Sequence, residues 1–311
     1  MPSIAPSVDS RLKSVLVATD FSKASERPVR HALAIAQHFG AKLYLTHVVS
    51  SIGYAIAGPP AQELALEASE RDLQQLEKDL LADGSLVELQ HEFLATKGVV
   101  WEELQSIIER QKIDLVVVGT HGRQNLSKLL LGSVAEQIFR RSNCLVLTVG
   151  PGSVQESALE KSRAFRPFLF ATDFGDASLQ ALPHAISFAN HFGAKLILLH
   201  IEPITPVPEG FHWSSTSMDV QKLRDDARLK AVGRLREILS HQVPLAVEPD
   251  FLVKFGAPGE MILHAAAEQQ ADLIVMGLNH TRHIDTACHT PWATAYAVVC
   301  GATCPVLTVR A

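Results

Sequence analysis

The sequence has few cysteines, no long apolar run and only a small excess of negative charge. The 311 residues include four cysteines, at 144, 288, 300 and 304, without a CxxC pair. This scarcity argues against a disulfide scaffold and favours a reducing compartment. No apolar run approaches the roughly 20 residues of a membrane-spanning helix. The formal net charge is −5, whereas nucleic-acid-binding surfaces are basic. We therefore expect neither a membrane nor a nucleic-acid partner.

The beginning of the sequence lacks the features of a secretion signal. No charged segment followed by an apolar one occurs in residues 1–13, so we expect a cytoplasmic protein. The composition, with 47% hydrophobic and 20% charged residues, is that of a folded protein and excludes general disorder. At roughly 100–200 residues per domain, this length favours two domains.

The most informative feature is an internal repeat. Residues 18–47 and 171–200 are identical at 17 of 30 positions, at a constant separation of 153 residues. Residues 97–122 also align with 255–280, and 144–149 with 304–309. The repeat is too long for a solenoid unit and has the size of a domain. We predict a first copy at 1–150 and a second copy at 164–311, joined by a polar linker at 151–163.

Each copy alternates short apolar runs with helical stretches. In the first copy we predict helices at 23–39, 62–81, 100–111 and 132–141, with Ser22 as an N-cap and Gly40 as a left-handed helix end. The predicted strands are 15–18, 43–49, 86–94, 115–118 and 145–149. Apolar strands between helices indicate an α/β protein with two tandem doubly wound (Rossmann-like) domains, each a five-stranded parallel sheet with helices on both faces. Such folds bind ligands at the carboxyl ends of strands, where the strand order reverses.

A glycine-bearing segment follows the fourth predicted strand. Gly119 and Gly122 are separated by two residues, and nine more precede Gly132 and Ser133 at a predicted helix start. Glycines allow close approach to an anion, and N–H groups at a helix start point towards it. The Ser133 hydroxyl is a further donor, and Arg123 with Lys128 would offset phosphate charge. The spacing predicts a phosphate site; a plain strand-to-helix turn is the alternative.

These segments together resemble a known family. The spacing G-x2-G-x9-G-S between DLVVVGTHG and CLVLTV, with VLVATDFS and LTHVV upstream, is similar to the nucleotide motif of the universal stress protein family. The resemblance covers nearly the whole chain, twice, as in tandem members. It implies that Asp20 and Val48 contact adenine and the nearby ribose, although Asp20 alone is also interpretable as a helix cap. It also implies a wider nucleotide-binding set of Gly119, His121, Gly122, Gly132 and Ser133 for ribose and phosphates, flanked by Thr19, Val118, Arg123 and Val134.

The resemblance also implies an assembly and a cofactor. In the family, sheets associate through their last strands, so residues 145–149 and 306–309 are expected to pair in an intramolecular pseudo-dimer that covers exposed edges. A homodimer of whole chains is left open. The implied cofactor is ATP, with ADP or AMP as alternatives. Whether Mg²⁺ accompanies the nucleotide is left open.

The second copy departs from the nucleotide motif. His280 replaces the second glycine, and Trp292 with Ala293 stand opposite Gly132 and Ser133. Asp173 and Ile201 still match the adenine-side positions. We therefore predict that the second copy has lost ordinary triphosphate binding and is either structural or specific for another ligand.

The same part of the second copy is rich in side chains that bind metals. They are His280, His283, Asp285, Cys288, His289, Cys300 and Cys304. Their spacing matches no standard zinc site, so a degenerate loop with spare histidines is the alternative to a metal centre. His47 and His200 end the second strand of each copy, where we expect packed, hydrogen-bonded histidines rather than catalytic ones.

The sequence contains no recognisable catalytic constellation. It has no G-x-S-x-G elbow, P-loop, HExxH or early GxGxxG. The hypothesis is an ATP-binding stress-response protein that acts by nucleotide-linked binding and signalling, with catalysis at most that of a slow ATPase. Two alternatives remain: a weak ATPase or nucleotidyl-transfer enzyme, and a nucleotide-free scaffold or metal/redox sensor.

Overall fold

The computed structural model describes residues 12–52, 58–120, 131–150, 167–203, 217–278 and 291–310. The chain divides into two compact units. Unit 1 comprises Met1–Arg163 and Val299–Thr308, and unit 2 comprises Ala164–Val298 and Val309–Ala311. Unit 1 contains the first copy of the repeat and unit 2 most of the second. The predicted linker at 151–163 lies outside the described residues.

Unit 1 contains the alternating elements that the sequence predicts. They run β1 (Ser14–Ala18), α1 (Lys23–Phe39), β2 (Lys42–Ser50), α2 (Pro59–Ala82), β3 (His91–Gly98), α3 (Val100–Gln111), β4 (Leu115–Gly119), α4 (Ser133–Arg141) and β5 (Leu145–Val149). The five strands are parallel, in the order β3-β2-β1-β4-β5. Because β1 lies between β2 and β4, the strand order reverses there, which is where doubly wound sheets bind ligands.

Unit 2 repeats this pattern. Its elements are β6 (Phe168–Thr172), α5 (Asp176–Phe192), β7 (Leu196–Glu202), α6 (Ser217–Ser240), β8 (Asp250–Phe255), α7 (Pro258–Glu268), β9 (Leu273–Leu278) and most of α8 (Pro291–Gly301). The described chain ends with β10 (Val306–Arg310), most of which belongs to unit 1. The parallel order is β9-β6-β7-β8. The doubly wound α/β fold is thus confirmed.

The last strand of the chain contributes to unit 1. Val306–Thr308 pair antiparallel with Val146–Thr148 of β5. The Thr148 hydroxyl donates to the Val306 carbonyl, and the Thr308 hydroxyl donates to the Val146 carbonyl, both at 3.2 Å. This is the strand pairing that the family resemblance implies, and it leaves β5 with a partner on both sides.

Apolar strands and glycine-ended helices explain most of the element boundaries. Val15, Leu16 and Val17 of β1 are fully buried, as expected for a strand covered by helices on both faces. Helix α1 ends at Gly40 with φ of 63°, the left-handed conformation that glycine adopts without strain.

The third strand begins later than predicted. The structure starts β3 at His91 and continues it to Gly98, whereas the sequence pattern suggested 86–94. Residues before it form turns, with Gly84 at φ of 84° and Glu88 at φ of 63°. Leu86 and Leu89 are nevertheless buried from these turns, so their apolar spacing imitates the alternation of a strand.

Candidate functional site

A strained turn lies at the carboxyl end of the first strand of each copy. In the first copy, the Thr19 hydroxyl accepts the N–H of Phe21 at 3.0 Å, and Phe21 has φ of 59°. In the second copy, Thr172 accepts the N–H of Phe174 at 2.9 Å, and Phe174 has φ of 61°. A bulky residue rarely adopts positive φ, and such strain clusters at functional sites. Neither phenylalanine stands out in the sequence as a candidate site residue.

Asp20 closes this turn with its carboxylate. Its Oδ1 accepts the backbone N–H of Ser22 at 3.0 Å and the Ser22 hydroxyl at 2.5 Å. Ser22 occupies the N-cap position of α1 as predicted, but its hydroxyl makes no capping bond because it bonds to Asp20. Asp173 accepts the N–H of Gly175 at 2.9 Å in the corresponding turn. A carboxylate therefore stands at the start of the first helix of each copy, where the helix dipole favours it.

His47 in β2 and His200 in β7 are packed and hydrogen-bonded, which confirms that part of the prediction. His47 places Nδ1 2.7 Å from the Thr19 carbonyl, and its ring centroid is 4.7 Å from that of Phe21. His200 places Nδ1 2.8 Å from the Thr172 carbonyl, and its ring centroid is 4.4 Å from that of Phe174. Since a carbonyl only accepts, Nδ1 carries a proton and donates it in both copies. Each imidazole thus holds the strained turn from the neighbouring strand.

The start of α4 lies beside the end of β4. The Gly132 N–H donates to the Thr120 carbonyl at 2.8 Å. This bond places Gly132 next to the end of β4, whose last residues are Val118 and Gly119. Gly132 is the N-cap, without a side-chain capping bond, and Ser133 is exposed as the first helical residue. Val134 follows, half-buried. First-turn N–H groups and a hydroxyl therefore meet the strand end, which is an arrangement suited to an anion.

Part of the predicted phosphate loop is not described. His121, Gly122 and Arg123 lie in the segment 121–130, outside the described residues. Of the remaining predicted residues, the structure brings two groups to the strand ends. These are Thr19, Asp20 and Val48 at β1 and β2, and Val118, Gly119, Gly132, Ser133 and Val134 at β4 and α4.

Thr96 is a further candidate that the sequence analysis missed. In the β2–β3 register it pairs with Val48, so both side chains lie on one face of the sheet. Its hydroxyl is buried and has no hydrogen-bond partner among the residues that the structure describes. A buried polar atom without a partner is costly and calls for a ligand or water. Only the strand register identifies it, because nothing in the sequence distinguishes this threonine from others in strands.

The second copy has a cavity of about 350 Å³ at the carboxyl ends of β6, β7 and β9. Asp173 and Ile201 line it, as expected from the repeat. Thr294 adds a hydroxyl one position after Ala293, the residue opposite Ser133. The described lining contains no lysine or arginine and is completed by Ala171, Thr172, Ala177, Ser178, Leu199, His200, Pro203, Pro258, Ile262, Met276 and Gly277.

Gly277 has a packing role in this unit. A Cβ at this position would overlap the backbone carbonyl of Ala177 and the following N–H of Ser178. The end of β9 therefore touches the first turn of α5 directly. The glycine shared with the first copy is explained here by helix–strand packing, without reference to a ligand.

The metal hypothesis concerns residues that are mostly not described. His280, His283, Asp285, Cys288 and His289 lie in the segment 279–290, outside the described residues. Within the described ranges, no three histidine, cysteine or acidic side chains are grouped to hold a metal ion. Nor do those ranges contain a helix with the length and apolar character needed to cross a bilayer.

The fold defines a doubly wound α/β protein, and the strand-order reversal of its first copy is the candidate place for a ligand. A family model for the universal stress protein family matches residues 11–150 and again residues 164–310, so the chain belongs to that family.

The relatives match one copy at a time. A universal stress protein of Methanocaldococcus jannaschii is 33% identical over 154 residues, which are 47% of this chain and 87% of the relative. A second protein of that organism is 27% identical over 156 residues, covering 44% of this chain and 94% of the relative. The crystal structure of a universal stress protein from Archaeoglobus fulgidus matches 97% of both chains, with a TM-score of 0.67 and 18% identity. That last likeness concerns the fold alone.

Proposed function

We propose that the first copy binds ATP at the carboxyl ends of β1, β2 and β4, and that the protein acts by nucleotide-linked binding and signalling. The observation that carries the proposal is the bond from the Gly132 N–H to the Thr120 carbonyl at 2.8 Å. It holds the start of α4, which lacks a side-chain cap, against the end of β4. The arrangement supports a bound phosphate, because N–H groups at a helix start attract anions.

In this proposal the phosphates are held from the β4–α4 side. Gly119, Gly132 and the Ser133 hydroxyl contribute there, with Val134 supplying a first-turn N–H group. Ser133 is exposed, so its hydroxyl is accessible to a ligand. His121, Gly122 and Arg123 belong to the same proposed set on the strength of the sequence motif.

The adenine and ribose are held from the other side of the strand-order reversal. Asp20 and Val48 belong to this part, and Thr19 fixes the turn that carries Asp20. The buried hydroxyl of Thr96 beside Val48 supports a polar ligand group at this place. An adenine ring or ribose carries hydrogen-bonding groups that would satisfy it.

We propose that the second copy does not bind triphosphate. Ala293 stands where the first copy has Ser133, and the described lining of its cavity presents the Asp173 carboxylate without a lysine or arginine. A carboxylate without a nearby cation repels a polyanion. The cavity itself remains available to a ligand without phosphates.

The proposed mechanism is thermodynamic linkage. A nucleotide that binds only the folded chain, at 100 times its Kd, stabilises the fold by about 2.7 kcal/mol. It would favour one arrangement of the segment between β4 and α4 and of the two domains, 1–150 and 164–311, in a cytoplasmic protein. A pseudo-dimer of the two copies and a homodimer of chains are parts of this proposal.

Calorimetric titration of the full chain with ATP tests the residue assignments. We expect Ser133→Ala and Thr96→Val each to weaken binding by about tenfold, the loss of one hydrogen bond to a charged or buried group. Ser106→Ala, in α3, is the matched control and should bind as the wild type does. Equal affinity in all four proteins would refute the assignments. Steady ATP turnover that is lost in Ser133→Ala would favour the slow ATPase instead.

A further inference from the structure

A second cavity of unit 1 lies between helices α1 and α2. Its volume is about 710 Å³, within the range of small-molecule sites. The cavity extends from Thr19 and Phe21 at one end to Gln37 and Ser85 at the other. The amide of Gln37 donates to the Ser85 carbonyl at 2.7 Å and closes that far end. The predicted nucleotide residues, apart from Thr19, do not line it.

The floor of this cavity is apolar. Val29 and Leu33 of α1 and Leu80 of α2 are each less than 10% exposed, and the half-buried Leu76 lies beside them. Phe21 adds an aromatic ring at the end nearest the strained turn. This floor suits the hydrocarbon part of a ligand.

The rim is acidic. Glu26, Asp79 and Asp83 line the cavity, with Arg30 as the one basic lining residue described there. Neutral donors hold two of the carboxylates. The Gln75 amide donates to Asp79 at 2.8 Å, and the Ser85 N–H donates to Asp83 at 2.9 Å. The Ser85 hydrogen bonds, with a smaller effect of Arg30, lower the pKa of Asp83. Asp83 therefore keeps its negative charge at neutral pH.

The second copy provides a cation at the corresponding place. The Arg234 guanidinium carbon lies 4.3 Å from the ring centroid of Phe174, a favourable cation–π distance. Helices α2 and α6 each have 24 residues and begin 158 positions apart, the separation that also relates Gly98 to Gly256. At that separation, Leu76 is the counterpart of Arg234. Unit 2 thus covers its phenylalanine with its own guanidinium, whereas unit 1 has a leucine and an acidic cavity.

We propose that the α1–α2 cavity binds an amphipathic organic cation, a small molecule with a guanidinium or ammonium head and an apolar stem. The head lies over the Phe21 ring, at the end of the cavity where Glu26 stands in the first turn of α1, as the Arg234 head lies over Phe174. The stem packs on Val29, Leu33 and Leu80. The acidic rim, the apolar floor and the Arg234 side chain at the corresponding place in the second copy all favour this class. An anion would be repelled by the three carboxylates.

Titration of the full chain with octylguanidinium, without nucleotide, tests the proposal independently of ATP binding. Methyl NMR signals of Val29, Leu33 and Leu80 should shift with saturation, and calorimetry should give one site. Octanol and octanoate, which share the stem, should bind at least about tenfold more weakly if the cation contributes roughly 1.4 kcal/mol. Asp79→Asn, at an exposed position, should weaken binding without disturbing the fold.

Single substitutions at the two counterpart positions, Leu76 and Arg234, give the strictest test. Leu76→Arg should abolish binding, because its guanidinium takes the place of the ligand head, and Arg234→Leu should leave the unit 1 site unchanged. Equal binding of octylguanidinium and octanoate would overturn the proposal, as would unchanged affinity in Asp79→Asn. Methyl shifts elsewhere than in the cavity would do the same.

Discussion

At the residue scale, a threonine hydroxyl and a histidine ring together hold each strained turn. Thr172 is buried and accepts the Phe174 N–H while sharing a 2.8 Å hydrogen bond with the Ser178 hydroxyl. The Phe174 ring packs against His200, so the positive φ of Phe174 is maintained from two directions. Local strain of this kind, of order 1–3 kcal/mol, persists only where the surroundings over-determine it.

Removal of that hydroxyl should be costly. We expect Thr172→Val to lower the free energy of unfolding by about 2 kcal/mol, because the Phe174 N–H loses its acceptor in a buried place. Urea denaturation measures the change. Thr172→Ser keeps the hydroxyl and should recover most of the loss, and a valine variant as stable as the serine variant would contradict this account of the turn.

His184 should make stability depend on pH. Burial lowers its pKa below the ordinary value, and its Nδ1 has no hydrogen-bond partner among the described residues. The unfolded chain therefore takes up a proton at this histidine more readily than the folded chain does. The stabilisation is complete above a pH of about 6.5 and decreases as the pH falls below it.

Urea midpoints at pH 8 and pH 5.5 check this expectation. His184→Leu should narrow the difference between the two midpoints, whereas His241→Leu, at an exposed position, should leave it unchanged. A difference that persists undiminished in His184→Leu would assign the pH dependence to other groups.

Sequence and structure agree unevenly on the site residues. Asp20 and Ser133 could be proposed because they stand near the predicted ends of a strand and the start of a helix, whereas Val48 was proposed from the family resemblance alone. Thr96 could not be proposed, since its importance depends on the β2–β3 register. Phe21 could not be identified from the sequence, because nothing in the sequence shows that this phenylalanine adopts a positive φ, which its side chain normally disfavours.

At the element scale, replacing a glycine lowers stability by different amounts at different positions, for different reasons. Gly40 ends α1 at φ of 63°, and a Cβ there would meet no atom within 4 Å. Gly277 ends β9 against the backbone of α5, where a Cβ would overlap Ala177. The first position requires a conformation, and the second requires space.

Two alanine substitutions should separate these requirements. Gly40→Ala should cost about 1 kcal/mol of stability, the price of a left-handed alanine. Gly277→Ala should cost about 3 kcal/mol or more, because backbone atoms must move. Denaturant unfolding of both variants measures the difference. Similar costs for the two substitutions would show that the close approach of β9 to α5 is misassigned.

Elements were predictable where periodicity and end signals agreed. The bounds of α1, α3 and β5 are those that the sequence predicts. The predicted position of β3 was wrong because Leu86 and Leu89 are buried although they lie in turns. Burial produces the same apolar spacing in an extended backbone and in a turn.

Duplication gives the whole molecule an internal control. The two copies share the Thr-Asp-Phe turn and the histidine that supports it, yet differ at Ser133 and Ala293 and at Leu76 and Arg234. The repeat made the fold predictable, because the same pattern recurs at a constant separation. The differences between the cavities were less predictable, since they depend on which side chains fill the space between helices.

The central claim is that the first copy, and not the second, holds the nucleotide. A crystal structure of the full chain grown with millimolar ATP tests it most directly. We predict density for one nucleotide, with phosphates at the start of α4 and the base between Asp20 and Val48. Density in the second-copy cavity alone, or no nucleotide beside Ser133, would contradict the claim.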